Sequence, residues 1–307
     1  MCCLFGMVDY GHNFTGRQKA LILSVLAAEC EARGTDATGI AYNGNGRLHI
    51  FKRPLPAHKL RFILSDDARV IMGHTRMTTQ GSEKRNFNNH PFKGNVKGSP
   101  FALAHNGVLH NDGLLRRSLK LPRTGIETDS YIAVQLIEHK KALNFDSLRY
   151  MAEQVEGSFT FTLLDGQDNL YFVKGDNPLC LVHFPRIGLY LYASTEEILS
   201  RALKKLRIPL ERSVRVTVST GDILRIDRSG SNTIEQFDAG NLYLGWYSMY
   251  CPHTLAVRRR LSAEDEYLDE LKSVAGAFGH GPEEIDRLIA EGISPEEIEE
   301  YLYCGEL

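Results

Sequence analysis

A layered α+β fold is predicted for this chain from three features of its 307 residues. Short apolar runs are bounded by Gly, Asn, Asp and Pro, and two longer stretches carry apolar residues at helical spacing. Four apolar runs also follow one another closely between residues 159 and 193, as in an antiparallel meander.

In chain order, Cys2 to Val8 is short and apolar enough for a buried strand, and Gly16 to Ala32 follows as a helix after a polar turn. Thr38 to Tyr42 and Leu48 to Phe51 form a hairpin across Asn43-Gly44-Asn45-Gly46, whose residues tolerate the positive φ that tight turns require. Val70 to Thr75 and Phe101 to His105 are further strands. Between them lies a long polar stretch, Thr78 to Ser99, of the kind that is usually functional or disordered. A helix over Thr128 to Lys140 starts with Thr128 and Asp129 as caps and gathers Ile132, Val134, Leu136 and Ile137 on one side. The meander consists of Phe159 to Leu164, Leu170 to Val173, Leu179 to His183 and Gly188 to Ala193, and a last β pair spans Val214 to Val218 and Asp222 to Ile226. Composition shifts near Tyr250, which divides a domain over 2–250 from a helical extension over 251–307. Within the extension, Gly281-Pro282-Glu283-Glu284-Ile285 and Ile293-Ser294-Pro295-Glu296-Glu297-Ile298 repeat one helix-start device, a proline in the first turn with acids near the positive dipole end.

Hydrophobic residues at 43% and charged residues at 24% place the chain among globular proteins. Its start has no basic region ahead of a long apolar run, and nowhere do roughly 18 uncharged apolar residues run together, so a cytoplasmic protein without a membrane span is expected. Cys2, Cys3, Cys30, Cys180, Cys251 and Cys304 show neither a disulfide framework nor zinc spacing. The formal charge of −2 conceals an asymmetry: residues 262–307 hold fourteen acids against Lys272 and Arg287, leaving 34 bases and 24 acids before them. Those bases are dispersed and accompany no nucleic-acid-binding signature, which argues against nucleic acid as a partner.

A cysteine directly after the initiator methionine has a particular chemical option. Removal of Met1 would place a free α-amine, of reference pKa about 7.7–8.0, beside a thiol of about 8.5, so that base and nucleophile share one residue. On position alone Cys2 is more often a small core residue. The rest of the chain changes that balance. Met1-Cys2-Cys3-Leu4-Phe5-Gly6, Arg33-Gly34-Thr35-Asp36-Ala37-Thr38-Gly39, Gly73-His74-Thr75-Arg76, His105-Asn106-Gly107 and Glu127-Thr128-Asp129-Ser130 occur in the order found in the class II glutamine amidotransferase domain of the N-terminal nucleophile hydrolases, which this chain resembles over residues 2–228. In motif it is most similar to the glutaminase domains of glucosamine-6-phosphate synthase and amidophosphoribosyltransferase.

The resemblance implies a four-layer αββα sandwich, with a small helical tail added here. It also implies release of ammonia from glutamine through a γ-glutamyl thioester on Cys2, with no cofactor. Asn106 and Gly107 would supply the oxyanion hole, although Asn-Gly is by itself a common turn dipeptide. Arg76 would clamp the α-carboxylate and Asp129 the α-ammonium, with Thr79 and His90 also lining the substrate site. Taken singly, Arg76 reads as a surface or ion-paired arginine and Asp129 as a helix cap. Arg33, Gly34, Asp36 and Gly39 would shape the loop beneath the nucleophile. The histidines His74, His90, His105 and His110 fit no standard metal spacing, and no metal is expected.

Met77 and Gln80 depart from the synthase pattern, which often has an aromatic residue and a histidine there. Cys3, one residue along a strand from Cys2, should face the opposite way and be inert. The residues beyond the resemblance are too few for a known acceptor domain, so the ammonia acceptor is expected elsewhere: the chain is either a free-standing glutaminase or docks a separate synthase subunit. The acidic tail would then be either the docking element for that subunit or a flap on the basic body. Two other readings stand beside this one: a silent regulatory or partner-binding relative, and a hydrolase of a related γ-glutamyl amide.

Overall fold

A computed structural model describes residues 2–242, 272, 281–291, 293, 294 and 298. The chain divides into two compact units, Met1–Tyr250 and Cys251–Leu307.

The first unit opens with β1 (Cys3–Asp9), α1 (Gly16–Cys30), β2 (Ala37–Gly44), β3 (Arg47–Arg53) and β4 (Val70–Arg76). It continues through β5 (Phe92–Val96), β6 (Ser99–Leu109), α2 (Asp112–Ser118), α3 (Tyr131–Lys140) and α4 (Phe145–Gln154). Then come β7 (Gly157–Leu164), β8 (Leu170–Lys174), β9 (Cys180–Phe184), β10 (Leu189–Ala193), α5 (Glu196–Leu206), β11 (Val214–Val216), β12 (Asp222–Ile226) and β13 (Asn232–Gln236). Two antiparallel sheets result, ordered β11-β9-β10-β1-β4-β2-β3 and β13-β12-β8-β7-β6-β5.

Period-two alternation builds the layers. On β1, Cys3, Phe5 and Met7 join a core with Ile22, Leu23 and Leu26 of α1 and Leu199 and Leu203 of α5. Leu4 and Val8 point the other way, into a second core with Ala102, Ala104 and Phe172 of the opposite sheet. On the far side, Phe101, Leu103, Phe159 and Phe161 pack against Ile132, Leu136, Leu148 and Met151 of α3 and α4. Three apolar layers thus separate helix, sheet, sheet and helix, the αββα sandwich that was expected.

Several elements depart from the sequence prediction. The expected meander is divided: β7 and β8 pair in the second sheet, whereas β9 and β10 pair in the first. The last two predicted strands do not pair with each other, since β11 adds to β9 and β12 lies between β8 and β13. Apolar runs reveal strands but not which sheet each joins. The long stretch Thr78 to Ser99 hides β5, whose sequence Phe-Lys-Gly-Asn-Val carries little apolar pattern. Its hairpin signal was present in Lys97-Gly98, which adopt φ of 50° and 88° and connect β5 to β6 through a two-residue turn. The predicted hairpin forms as β2 and β3, with Asn45 and Gly46 at φ of 50° and 73°. α4 and α5 were also missed, although each has a side-chain cap at its start, Asn144 to the Ser147 N–H and Thr195 to the Ile198 N–H.

In the second unit, α6 (Pro282–Ala290) begins at the predicted device, with Pro282 in its first turn beside Glu283 and Glu284. Ile285 and Ile298 are buried among Leu288, Ile289 and Ile293. Most of the second device lies outside the described residues.

Candidate active site

Cys2 lies at the mouth of β1, where the register Cys3↔Thr75 carries it toward Arg76 at the end of β4. Alternation turns Cys2, His74 and Arg76 to the face shared with Leu4 and Met72, toward the second sheet. The Cys2 thiol meets the Met77 carbonyl and the Met77 N–H, each at 3.5 Å. Burial pushes this thiol above its ordinary value, opposed by the Met77 N–H and the Arg76 charge and assisted by Asp129. It is therefore a protonated thiol at neutral pH and needs a base. Cys3 faces α1 as expected, its sulfur 2.9 Å from that of Cys30.

The segment after α1 wraps this corner. Arg33 Nε donates to the Cys2 carbonyl at 2.9 Å, and Asp36 accepts from the Thr78 N–H at 2.7 Å. Gly34 is required by close approach, because a Cβ there would lie 2.5 Å from the carbonyl carbon of Arg76. A Cβ on Gly39 would meet the His90 carbonyl oxygen at 2.2 Å.

Arg76 is buried, and it is neither on the surface nor in an ion pair among the described residues. Its guanidinium donates to Asn89 Oδ1 at 2.6 Å and to the carbonyls of Gln80 and Gly81 at 2.6 and 3.0 Å. These bonds occupy three of its five N–H donors and hold the fork rigid. Nothing in the sequence assigned Asn89 a role in holding Arg76. Asp129 does not cap α3: the N-cap is Ser130, without a side-chain bond. Instead Asp129 Oδ2 accepts from the Leu109 N–H at 2.7 Å, and Oδ1 faces the Ser130 hydroxyl at 3.4 Å.

Asn106 and Gly107 lie inside β6, opposite Thr160 and Phe159, and do not form a turn. Asn106 is on the inter-sheet face with Ala102 and Ala104. It is completely buried, yet neither Oδ1 nor Nδ2 has a hydrogen-bond partner among the described residues. Leaving such a group unsatisfied costs about 1–3 kcal/mol, so its amide is expensive unless something arrives to use it. Gly107 holds φ at 148°, and a Cβ there would lie 1.9 Å from the Ser158 carbonyl oxygen, so only glycine fits.

Thr79 is exposed in the loop after β4. His90 is buried against His74 and Phe92, with ring centroids 4.2 and 4.4 Å apart, and both its ring nitrogens lack hydrogen-bond partners among the described residues. Among the described residues, no group of three or more His, Cys, Asp or Glu could hold a metal ion, and no helix is long and apolar enough to cross a membrane.

Burial depresses three histidines of this region: His74 to about 3, His90 well below its usual value, and His105 below it as well. In the unfolded chain each binds a proton below about pH 6.5, whereas the folded protein keeps them neutral. Stability is then fully present above about pH 6.5 and lost as pH falls toward the folded values, by about 1.4 kcal/mol per pH unit for each neutral histidine. Urea denaturation at pH 7, 6 and 5 should show this decline; a flat profile would mean that these rings are protonated in the fold.

The chain is 32% identical over 187 residues to the glutamine--fructose-6-phosphate aminotransferase (isomerizing) of Halalkalibacterium halodurans, covering 58% of this chain and 30% of that protein. It is 24% identical over 208 residues to the 7-cyano-7-deazaguanine synthase of Sulfolobus acidocaldarius, covering 64% of this chain and 44% of the relative. The chain therefore spans less than half the length of either curated relative. Among solved structures, the glutamine phosphoribosylpyrophosphate amidotransferase from B. subtilis shares its fold, with a TM-score of 0.60 and 19% identity over 78% of this chain and 50% of that one. No family model matches.

Proposed function

We infer from motifs, fold and relatives together that this chain is a class II glutamine amidotransferase, and we propose that its site releases ammonia from glutamine through a thioester on Cys2. The observation that carries the reading is the buried, unpartnered carboxamide of Asn106, on the inter-sheet face toward which Cys2 and Arg76 turn from the other sheet.

In this mechanism Met1 is removed and the α-amine of Cys2 takes the thiol proton. The sulfur then attacks the side-chain amide carbon. Asn106 Nδ2–H and the Gly107 N–H receive the negative charge developing on the amide oxygen, where two preorganised donors act most strongly. As the C–N bond breaks, the amine passes its proton to the leaving nitrogen, which departs as ammonia. Water next attacks the γ-glutamyl thioester, giving up a proton to the amine, and that proton returns to sulfur as glutamate leaves. Arg76, held by Asn89, Gln80 and Gly81, meets the α-carboxylate, and Asp129 meets the α-ammonium. Thr79 and His90 complete the proposed substrate surroundings, and Arg33, Gly34, Asp36 and Gly39 shape the corner under the nucleophile.

Residues 2–250 form the amidotransferase domain in this reading and 251–307 an acidic extension. The ammonia would pass to a separate synthase subunit in the cytoplasm.

Intact mass, glutamate release and labelling by 6-diazo-5-oxo-norleucine, measured on one sample, test the proposal. Absence of Met1, turnover of glutamine and a single label on Cys2 are expected. Met1 retained on an idle, unlabelled protein would reject it in favour of a regulatory or partner-binding role.

A further inference from the structure

His74 stands two residues before Arg76 on β4, facing the second sheet, and is buried. Its Nε2 lies 2.9 Å from the carbonyl oxygen of His105 on β6. A carbonyl only accepts, so Nε2 carries the proton. Burial holds this ring neutral, with its pKa near 3, and Nδ1 is therefore a bare acceptor. That nitrogen is buried and has no hydrogen-bond partner among the described residues.

For stability alone this is a poor choice of residue. One neutral hydrogen bond contributes about 0.5–1.5 kcal/mol, while an unsatisfied buried acceptor costs about 1–3 kcal/mol. An apolar side chain would fill the space without that cost. What the histidine does provide is a fixed direction for one peptide group. The His105 carbonyl and the Asn106 N–H share a single plane, so the bond from His74 orients the peptide that leads into Asn106 and Gly107.

The other side of that residue is anchored too. His105 Nδ1 lies 2.8 Å from Ser130 Oγ, beside Asp129, and the ring stacks on Phe161 with centroids 4.5 Å apart. The His74 contact is the member of this set that crosses from one sheet to the other, from the strand ending in Arg76 to the strand bearing Asn106.

We propose that His74 is a positioning residue: its Nε2–H, given across the sheet interface to the His105 carbonyl, aims the Asn106 carboxamide and the Gly107 N–H at the substrate amide oxygen. This rests on the reading of those two groups as oxyanion donors. His74 itself touches no reacting atom. Misplacing such donors by about 1 Å is enough to cost about 10²-fold in rate.

The test compares His74→Asn with His74→Gln. Glutamine can bring a side-chain N–H near the Nε2 position; asparagine is too short. Each variant is assayed for kcat and KM with glutamine, and for inhibition by L-glutamate and by glutamate γ-semialdehyde. The aldehyde forms a hemithioacetal with Cys2 and so places a tetrahedral oxygen where the oxyanion would sit, whereas glutamate reports ground-state binding alone.

For His74→Asn, kcat and semialdehyde affinity should both fall about 10–100-fold, with KM and glutamate affinity within about twofold of wild type. His74→Gln should recover most of the loss. Unchanged kcat in His74→Asn, or equal loss of glutamate and semialdehyde affinity, would overturn the proposal. An inactive wild type would instead remove the glutaminase reading itself. Nitrogen NMR of the wild type decides the matter even if a variant does not fold: a His74 ring protonated on Nδ1, or titrating between pH 5 and 8, could not make the proposed bond as a fixed neutral donor.

Discussion

Cys2→Ala is expected to lower glutamate release by at least about 10⁴-fold, because nothing else in the site can form the covalent intermediate. The thiol is raised by burial, so its reactivity depends on a base, and the proposed base is the amine of the same residue. Alanine keeps that amine and removes the sulfur. The structural cost should be small, since among the described residues the sulfur's hydrogen bonds are the two 3.5 Å ones with the Met77 backbone. Thermal melting should therefore change little, and glutamine should still bind through Arg76 and Asp129. A melt, a calorimetric titration and a rate measurement on the one variant separate the possibilities. If wild type and Cys2→Ala bind glutamine equally and neither releases ammonia, the protein is a binder. If both release it at similar rates, the nucleophile lies elsewhere.

Much of this architecture could be read from the residues, and what could not has a common physical origin. β1, β2, β4 and β6 are apolar runs with clear ends, and local pattern is enough to find them. The motif order likewise singled out Cys2, Arg76, Asn106, Gly107 and Asp129, which lie just before β1, at the end of β4, inside β6 and at the entry to α3. Hidden from the sequence were the contacts that depend on which strand lies beside which. The division of 157–193 between two sheets is one case, since both halves have the same apolar character. The hold of Asn89 on Arg76, the turn of Asp129 to the Leu109 N–H and the bridge from His74 to His105 are others. Asp129 shows how a local rule can mislead. An acid just ahead of a helix normally caps it, but here a backbone N–H on a neighbouring strand claims the carboxylate.

The unpartnered amide of Asn106 leads to the second large effect. Asn106→Ala should lower kcat about 10²–10³-fold, the usual loss when one oxyanion donor is removed, with KM for glutamine within a few-fold of wild type. Stability should move the other way or hardly at all. In the free protein the side chain makes no hydrogen bond among the described residues, so its removal breaks none there, and it relieves a buried donor and acceptor that cost about 1–3 kcal/mol. A small cavity partly offsets that relief. Most buried polar residues behave differently, because truncating one normally destabilises the fold. Urea denaturation and steady-state kinetics on Asn106→Ala thus give a paired readout: loss of rate with stability retained fits a group kept for the transition state. Loss of stability alongside an unchanged rate would mean that Asn106 is a structural residue, and the oxyanion would then have to be met by other donors.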